Sequence, residues 1–222
     1  MRKSGGLAQV ASLLILFTLI LTACGSTTTT TGGNSTPGTS GSSNTKVALV
    51  TDTGGLNDNG FNHLSDVGYT KAQSQYSFTS QIIQTTSQND YLKNLTQAAR
   101  SANLVIAVGF LMQTPLDTVA KQFPNVKFAI VDGCAVPDPN TGACETLPNV
   151  APLHFREEQA GCLVGAIAGQ MEMDGKSKVP HLLGKNTIAS VGGLNIPPVA
   201  HYIAGYEFCA KKVDPSIQTF HT

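Results

Sequence analysis

The side chains best suited to hold a small molecule sit where short apolar runs stop. Asp52 follows residues 46–51 (KVALVT), Gly109 and Phe110 follow 104–108, and Asp132 and Gly133 follow 126–131. In an open parallel sheet such positions fall outside the C-terminal strand ends, where loops and helix N-termini form a ligand crevice. Asp52 and Asp132 are carboxylates that accept hydrogen bonds from N–H or O–H groups, and Phe61, at the start of a helical pattern, offers a ring able to stack on a flat ligand. The Gly- and Pro-containing segment 192–198 ends a later run. Taken singly these residues have blander roles, since an Asp or Asn in a Gly-rich turn more often caps the next helix and a lone Phe more often packs in a core. Their gathering at one sheet edge favours recognition of a polar, planar molecule.

Catalytic patterns are missing from the sequence. It contains no GxSxG elbow, no GxxxxGK[ST] phosphate loop and no GxGxxG fingerprint, and the glycines of 52–55 (DTGG) lack the spacing that admits a pyrophosphate to a helix terminus. His63, His154, His181, His201 and His221 are scattered, without HExxH. Glu157 and Glu158 open a helical pattern, where carboxylates offset the helix dipole. A surface hydrolase would need Asp52 or Asp132 to act without a visible nucleophile and base pair. No catalytic residue, cofactor or metal site is expected, and CxxC or a close Cys/His pair is absent.

The elements that must position these residues alternate. After 46–51, Phe61, Leu64, Gly68 and Ala72 repeat at helical spacing, and 78–83 reads as a second strand. Leu92, Leu95, Ala99 and Ala102 mark a second helix, and 104–108 a third strand. Thr114, Pro115 and Asp117 provide an N-cap, a first-position proline and a first-turn acid for a helix reaching Phe123. Strand 126–131 follows, then strand 150–155 and a helix with Ala160, Leu163, Val164, Ile167 and Met171 as its inward stripe. Residues 175–185 read as a loop, 187–191 as a strand, 197–211 as a helix with Val199, Tyr202, Tyr206 and Cys209 or Ala210 inward, and 217–220 as the start of another strand. This alternation predicts an α/β fold with parallel sheets and helices on both faces. A bare final strand at Thr222 suggests a fragment, complete through a first lobe and cut early in a second.

The N-terminus reads as an export signal. Met1, Arg2 and Lys3 precede an apolar stretch over 7–21 and the sequence Leu21-Thr22-Ala23-Cys24, where a lipoprotein signal peptide (1–23) would be cut and Cys24 lipidated. The apolar run is shorter than the ~20 residues of a membrane-spanning helix. Residues 24–45, rich in Thr, Ser and Gly, form a flexible tether. Without Arg2 and Lys3 the chain is slightly acidic and has no basic run, which disfavours nucleic acid as a partner. Four further cysteines allow three pairings in an oxidising compartment. Cys134 and Cys144 bracket a turn-forming VPDPNTG segment that favours a disulfide between them; Cys162 and Cys209 are open to pairing or to remaining buried free thiols.

Residues 50–62 (VTDTGGLNDNGFN) resemble the opening motif of the basic membrane protein family, the purine-nucleoside receptors of ABC importers. Four later segments agree with it: 108–110 (VGF), 128–133 (FAIVDG), 155–159 (FREEQ) with its Gly/Ala-rich helix, and 192–198 (GGLNIPP) with Gly205 and Tyr206. Gly60 stands where the family usually has Ser and Tyr206 where it has Phe, and the Cys134 to Cys144 loop is an insertion beside Asp132. The resemblance implies a type I periplasmic-binding fold of two Rossmann-like lobes, 46–155 and an incomplete 156–222, closing on a nucleoside. By similarity Asp52, Asp58 and Asp132 hold the ligand, Phe61 stacks on its base, and Asn62, Gly109 and Phe110 line the same site; further contacts would lie beyond Thr222. The implied protein is a monomeric receptor on the outer face of the cell membrane, attached through its lipid anchor alone and delivering its ligand to a permease. A sensor presenting its closed form to a receptor kinase is the other reading of the same fold.

Overall fold

Val47 and Leu49 of β1 (Lys46–Val50) point to one face of a sheet and Ala48 and Val50 to the other, and all four are buried. A strand buried on both faces must lie in a sheet that is covered on both faces. β1 pairs in parallel with β2 (Thr79–Ile83) and β3 (Leu104–Val108), and β4 (Lys127–Val131) and β5 (Val150–Leu153) continue the sheet in the order β2-β1-β3-β4-β5. The computed structural model describes residues 44–135 and 143–222. The expected signal peptide, Cys24, nearly all of the tether and the turn between Cys134 and Cys144 lie outside those residues.

Helices cover both faces of the sheet. α1 (Phe61–Tyr76) packs over Val47, Leu49 and Val108 through Tyr69, whose hydroxyl donates to the Val47 carbonyl at 2.7 Å and accepts the Gln81 N–H at 3.0 Å. α2 (Tyr91–Ala99) and α3 (Gln113–Gln122) lay Leu95, Leu116 and Val119 on Ala48, Val50, Val105, Phe128 and Ile130. Each of these larger aliphatic or aromatic side chains contributes about 1.5–3 kcal/mol through burial.

The helix expected from Phe61 forms, though it is anchored by other residues than the apolar ones that announced it, and the expected Thr114 cap fails. On α1 the buried residues are Asn62 and Tyr69, while Phe61 and Leu64 are exposed. An apolar periodicity cannot find a face whose anchors are a carboxamide and a phenol bonded to backbone. α3 begins at Gln113, not at a Thr114 cap, because the single 3-10 turn Phe110–Met112 already supplies helical geometry. Pro115 still falls in the first turn, where its missing N–H costs nothing.

Beyond β5, α4 (Glu157–Lys178) and α5 (Pro197–Val213) lie against a two-stranded parallel sheet of β6 (Thr187–Ser190) and β7 (Gln218–His221). α4 runs into the segment expected to be loop, with a break at Gly175 (φ 65°, ψ −176°). The expected inward stripe is also displaced: Leu163, Val164, Ile167 and Met171 are exposed, and Gly161, Gly165 and Gly169 are buried. The two helices meet backbone to backbone. A Cβ at Gly161 would lie 2.0 Å from the Tyr202 carbonyl oxygen, at Gly165 2.0 Å from that of Tyr206, and at Gly205 2.0 Å from that of Glu158. A Cys162–Cys209 disulfide, with Cα atoms 4.9 Å apart, crosses the same contact. Cys134 and Cys144 are joined as well, with Cα atoms 5.7 Å apart. Among the described residues no helix is long and apolar enough to cross a membrane.

The glycine contact gives a paired prediction. Gly165→Ala forces α4 from α5 and is expected to cost about 1–3 kcal/mol. Gly68→Ala, at a helical position with no heavy atom within 4 Å of its Cβ, should be neutral or stabilise by about 0.5–1 kcal/mol. Urea unfolding midpoints of the two variants check the contrast; equal midpoints would remove the close helix contact from the account.

Candidate functional site

Asp52 is the first residue past β1, and the chain holds it from three directions. The Asn62 carboxamide accepts the Asp52 N–H at 2.8 Å and donates to the carbonyls of Asp52 and Thr53 at 3.3 and 3.2 Å. The Thr53 N–H donates to Asp52 Oδ1 at 2.6 Å, and the Tyr91 hydroxyl donates to the same oxygen. Burial first, and then the Asp52 carboxylate, push the Tyr91 phenol up to about 12. Oδ2 lies against Gly109, where a Cβ would come within 2.5 Å of it. Gly109 also has φ 105°, so the end of β3 passes beside the carboxylate only because this residue lacks a side chain.

Asp58 and Asn62 do not line the cleft that Asp52 faces. Asp58 caps α1, accepting N–H groups of Gly60 at 2.8 Å, His63 at 3.0 Å and Asn62 at 3.1 Å. Partial desolvation works against its ionised form, but these backbone donors prevail and hold its carboxyl below the ordinary value. Both residues shape the 52–60 loop and thereby aim Asp52 and Phe61.

Asp132 ends β4 in a left-handed conformation (φ 63°), with its N–H bonded to the Leu153 carbonyl at 2.9 Å. Its carboxyl is buried and is raised to about 6, first by desolvation and then by the negative charge and hydrogen bonding of Glu157. Glu157 opens α4, and its Oε2 is 3.4 Å from Nδ1 of His201 on α5. A carboxyl from the end of the five-stranded sheet thus meets one from the first turn of α4.

These residues converge on one cleft of about 1130 Å³, slightly above the ~300–1,000 Å³ usual for small-molecule pockets. Asp52, Phe61, Gly109, Phe110 and Asp132 line one side, Phe155 and Glu157 the crossing, and Ser190, Leu194 and Tyr202 the other. Phe61 and Phe155 pack edge to face with centroids 6.0 Å apart, yet each ring remains about half exposed, at 48% and 53%. Sequence reasoning missed Phe155, Glu157, Ser190 and Tyr202 as cleft residues. An aromatic residue directly between a strand pattern and a helix pattern, Phe155, was a usable signal; Ser190 and Tyr202 carried none. The Ser190 hydroxyl, buried at the end of β6, has no hydrogen-bond partner among the described residues.

Among the described residues there is one set of potential metal ligands. Cys134, Cys144 and His154 place their ligand atoms within 4.8 Å of one another. The two sulfurs are joined in a disulfide, so neither is a thiolate able to hold a cation. The cleft groups offer hydrogen bonding and ring stacking in a largely apolar crevice, which suits recognition of a small molecule.

Comparison with known proteins agrees with this chemistry. The chain is 34% identical over 168 residues to an uncharacterised lipoprotein of Pyrococcus furiosus, covering 75% of this chain and 38% of that protein. It is 27% identical over 192 residues to the ABC transporter nucleoside-binding protein BmpA of Lactococcus lactis, covering 82% and 48%. Among solved structures, an ABC transporter solute-binding protein of Aeropyrum pernix superposes with a TM-score of 0.68 at 26% identity, covering 80% of this chain and 47% of that one. The fold is therefore that of type I solute-binding proteins, and the chain spans about half the length, or less, of the relatives it matches. Residues 45–221 match the family described as PnrA-like ABC transporter substrate-binding proteins, a class of receptors and not of enzymes, and the chain belongs to that family, Bmp.

Proposed function

We propose that this protein is the lipid-anchored, extracytoplasmic receptor of an ABC importer, and that it captures a purine nucleoside in the cleft and delivers it to a permease. The observation that carries this reading is the convergence of Asp52, Asp132 and the rings of Phe61 and Phe155 on one crevice. A nucleoside is a flat, apolar-faced ring system edged with N–H groups and joined to a hydroxylated sugar. Exposed aromatic faces match the ring, and acceptor-only carboxylates match the donors. The nucleoside-binding name of the Lactococcus relative supports the same ligand class. Asp52, Phe61, Gly109, Phe110 and Asp132 form the proposed contact set, with Asp58 and Asn62 fixing the loop behind it. Residues 46–155 and 156–222 act as the two lobes that close on the ligand, by the hinge movement common to such receptors.

Anchoring follows from Cys24 and the signal-like segment before it. Mass spectrometry of membrane-extracted protein should find a diacylglyceryl group on Cys24, and Cys24→Ala should release the protein from the membrane fraction. Release without that substitution, or retention with it, would contradict the anchor.

Isothermal titration calorimetry with inosine, guanosine and adenosine tests the ligand class. Binding of at least one is expected, and Asp132→Asn should weaken it by about tenfold through loss of a charged hydrogen-bond acceptor. No heat with any of the three would overturn the nucleoside reading.

The Asp132 carboxyl also gives a pH signature. Asp52, Arg156 and Glu157 are the other charged groups lining the cleft, with His201 behind Glu157. A ligand donor is held more strongly by ionised than by neutral Asp132, so affinity should fall as pH drops through about 6. Folding has the opposite sign. The folded pKa is raised above the unfolded value, so this group's contribution to stability is present below about pH 4 and lost as pH rises through about 6. Affinities and unfolding midpoints at about pH 5 and pH 7.5 should therefore move in opposite directions. Asp132→Asn should flatten both trends; a profile unchanged by that substitution would assign the titration elsewhere.

A further inference from the structure

We infer that Tyr91 is a positioning residue for the recognition site: its hydroxyl fixes the Asp52 carboxylate so that one oxygen is held by protein and the other is presented to the ligand. The inference rests on the reading of Asp52 as a ligand contact and adds a residue that does not itself line the cleft.

Three donors act on the carboxylate, and all act on Oδ1. They are the Thr53 N–H at 2.6 Å, the Tyr91 hydroxyl, and more weakly the Thr53 hydroxyl at 3.4 Å. Among the described residues Oδ2 has no donor, and it lies beside the bare backbone of Gly109, which lines the cleft together with Asp52. A carboxylate held by donors on one oxygen cannot rotate freely about its Cβ–Cγ bond, and it offers a ligand a single acceptor in a fixed direction. Such preorganisation lowers the ordering cost of binding.

Tyr91 is built to hold that geometry. It is the first residue of α2 and only 4% exposed. The start of α2 is fixed by the Ser87 side chain, which accepts the Asn89 N–H, and by a buried chain of hydrogen bonds: Asn94 Nδ2 donates to Thr85 Oγ1 at 3.0 Å, and the Thr85 N–H to Thr51 Oγ1 at 3.2 Å. Thr51 immediately precedes Asp52. The helix and the strand end are thus tied twice, once through this chain and once through the phenol. Packing alone would be served by a phenylalanine; it is the hydroxyl that reaches Asp52, with Thr53 beside it. The raised pKa of the phenol agrees with a proton held between a buried ring and an anionic partner.

The test is a double-mutant cycle on the full protein with Tyr91→Phe, Asp52→Ala and the combination, probed with inosine by calorimetry. Tyr91→Phe is expected to weaken inosine about tenfold when Asp52 is present and not at all when it is Ala. Equal losses in both backgrounds, or no loss in either, would overturn the inference, since a purely structural role of Tyr91 does not depend on Asp52. Ultraviolet titration of the phenols supplies a readout that needs no ligand. One phenol near pH 12 should vanish in Tyr91→Phe and move down in Asp52→Ala. If that phenol ignores the loss of Asp52, the inference fails whatever binds. If it responds while inosine gives no heat with the unmodified protein, the link to Asp52 stands and the nucleoside reading falls.

Discussion

Parallel pairing of β1 with β2 on one side and β3 on the other brings the C-terminal ends of these strands to one edge of the sheet, and every contact proposed for the ligand depends on that constraint. The chain runs outward to β2, returns across β1 to β3 and then proceeds to β4. The loops after β1 and β3 therefore diverge, opening a crevice beside Asp52 and Gly109. The buried apolar residues of β1 fix the strand, and the strand fixes where Asp52 emerges.

Rigid support of this kind gives short polar side chains a consistent direction. Asn62 clamps the 52–53 backbone, Asp58 caps the helix that carries Phe61, and Tyr91 reaches Asp52 from a third element. Asp132 is treated differently. It stands in a left-handed turn, buried beside Glu157, in an environment that disfavours its charge. One carboxylate is supplied with protein donors and the other is left short of them, so a ligand bearing N–H or O–H groups relieves the second more than the first.

Much of this arrangement was legible in the sequence. β-branched runs gave the strands of the five-stranded sheet, and carboxylates and glycines at their ends marked the cleft edge to which Asp52, Gly109, Phe110 and Asp132 come. What escaped has a common cause. Apolar periodicity assumes that helices pack through large side chains, whereas α4 and α5 approach through Gly161, Gly165 and Gly205, and α1 through Asn62 and Tyr69. The leucine and isoleucine stripe of α4 was visible but did not mark the packed face. Contacts made across sequence separations, such as Tyr91 with Asp52 or Asp132 with Glu157, leave no local pattern, and neither residue pair could be found from spacing alone.

The central claim is that the acids and rings at these strand ends embrace one flat, sugar-bearing ligand. A crystal structure of the protein grown with inosine tests it most directly. The account predicts the purine ring between the cleft walls in contact with Phe61, with Asp52 Oδ2 and the Asp132 carboxylate within hydrogen-bonding distance of ligand donors. Inosine bound elsewhere on the molecule, or lying in the cleft with neither carboxylate engaged, would contradict it.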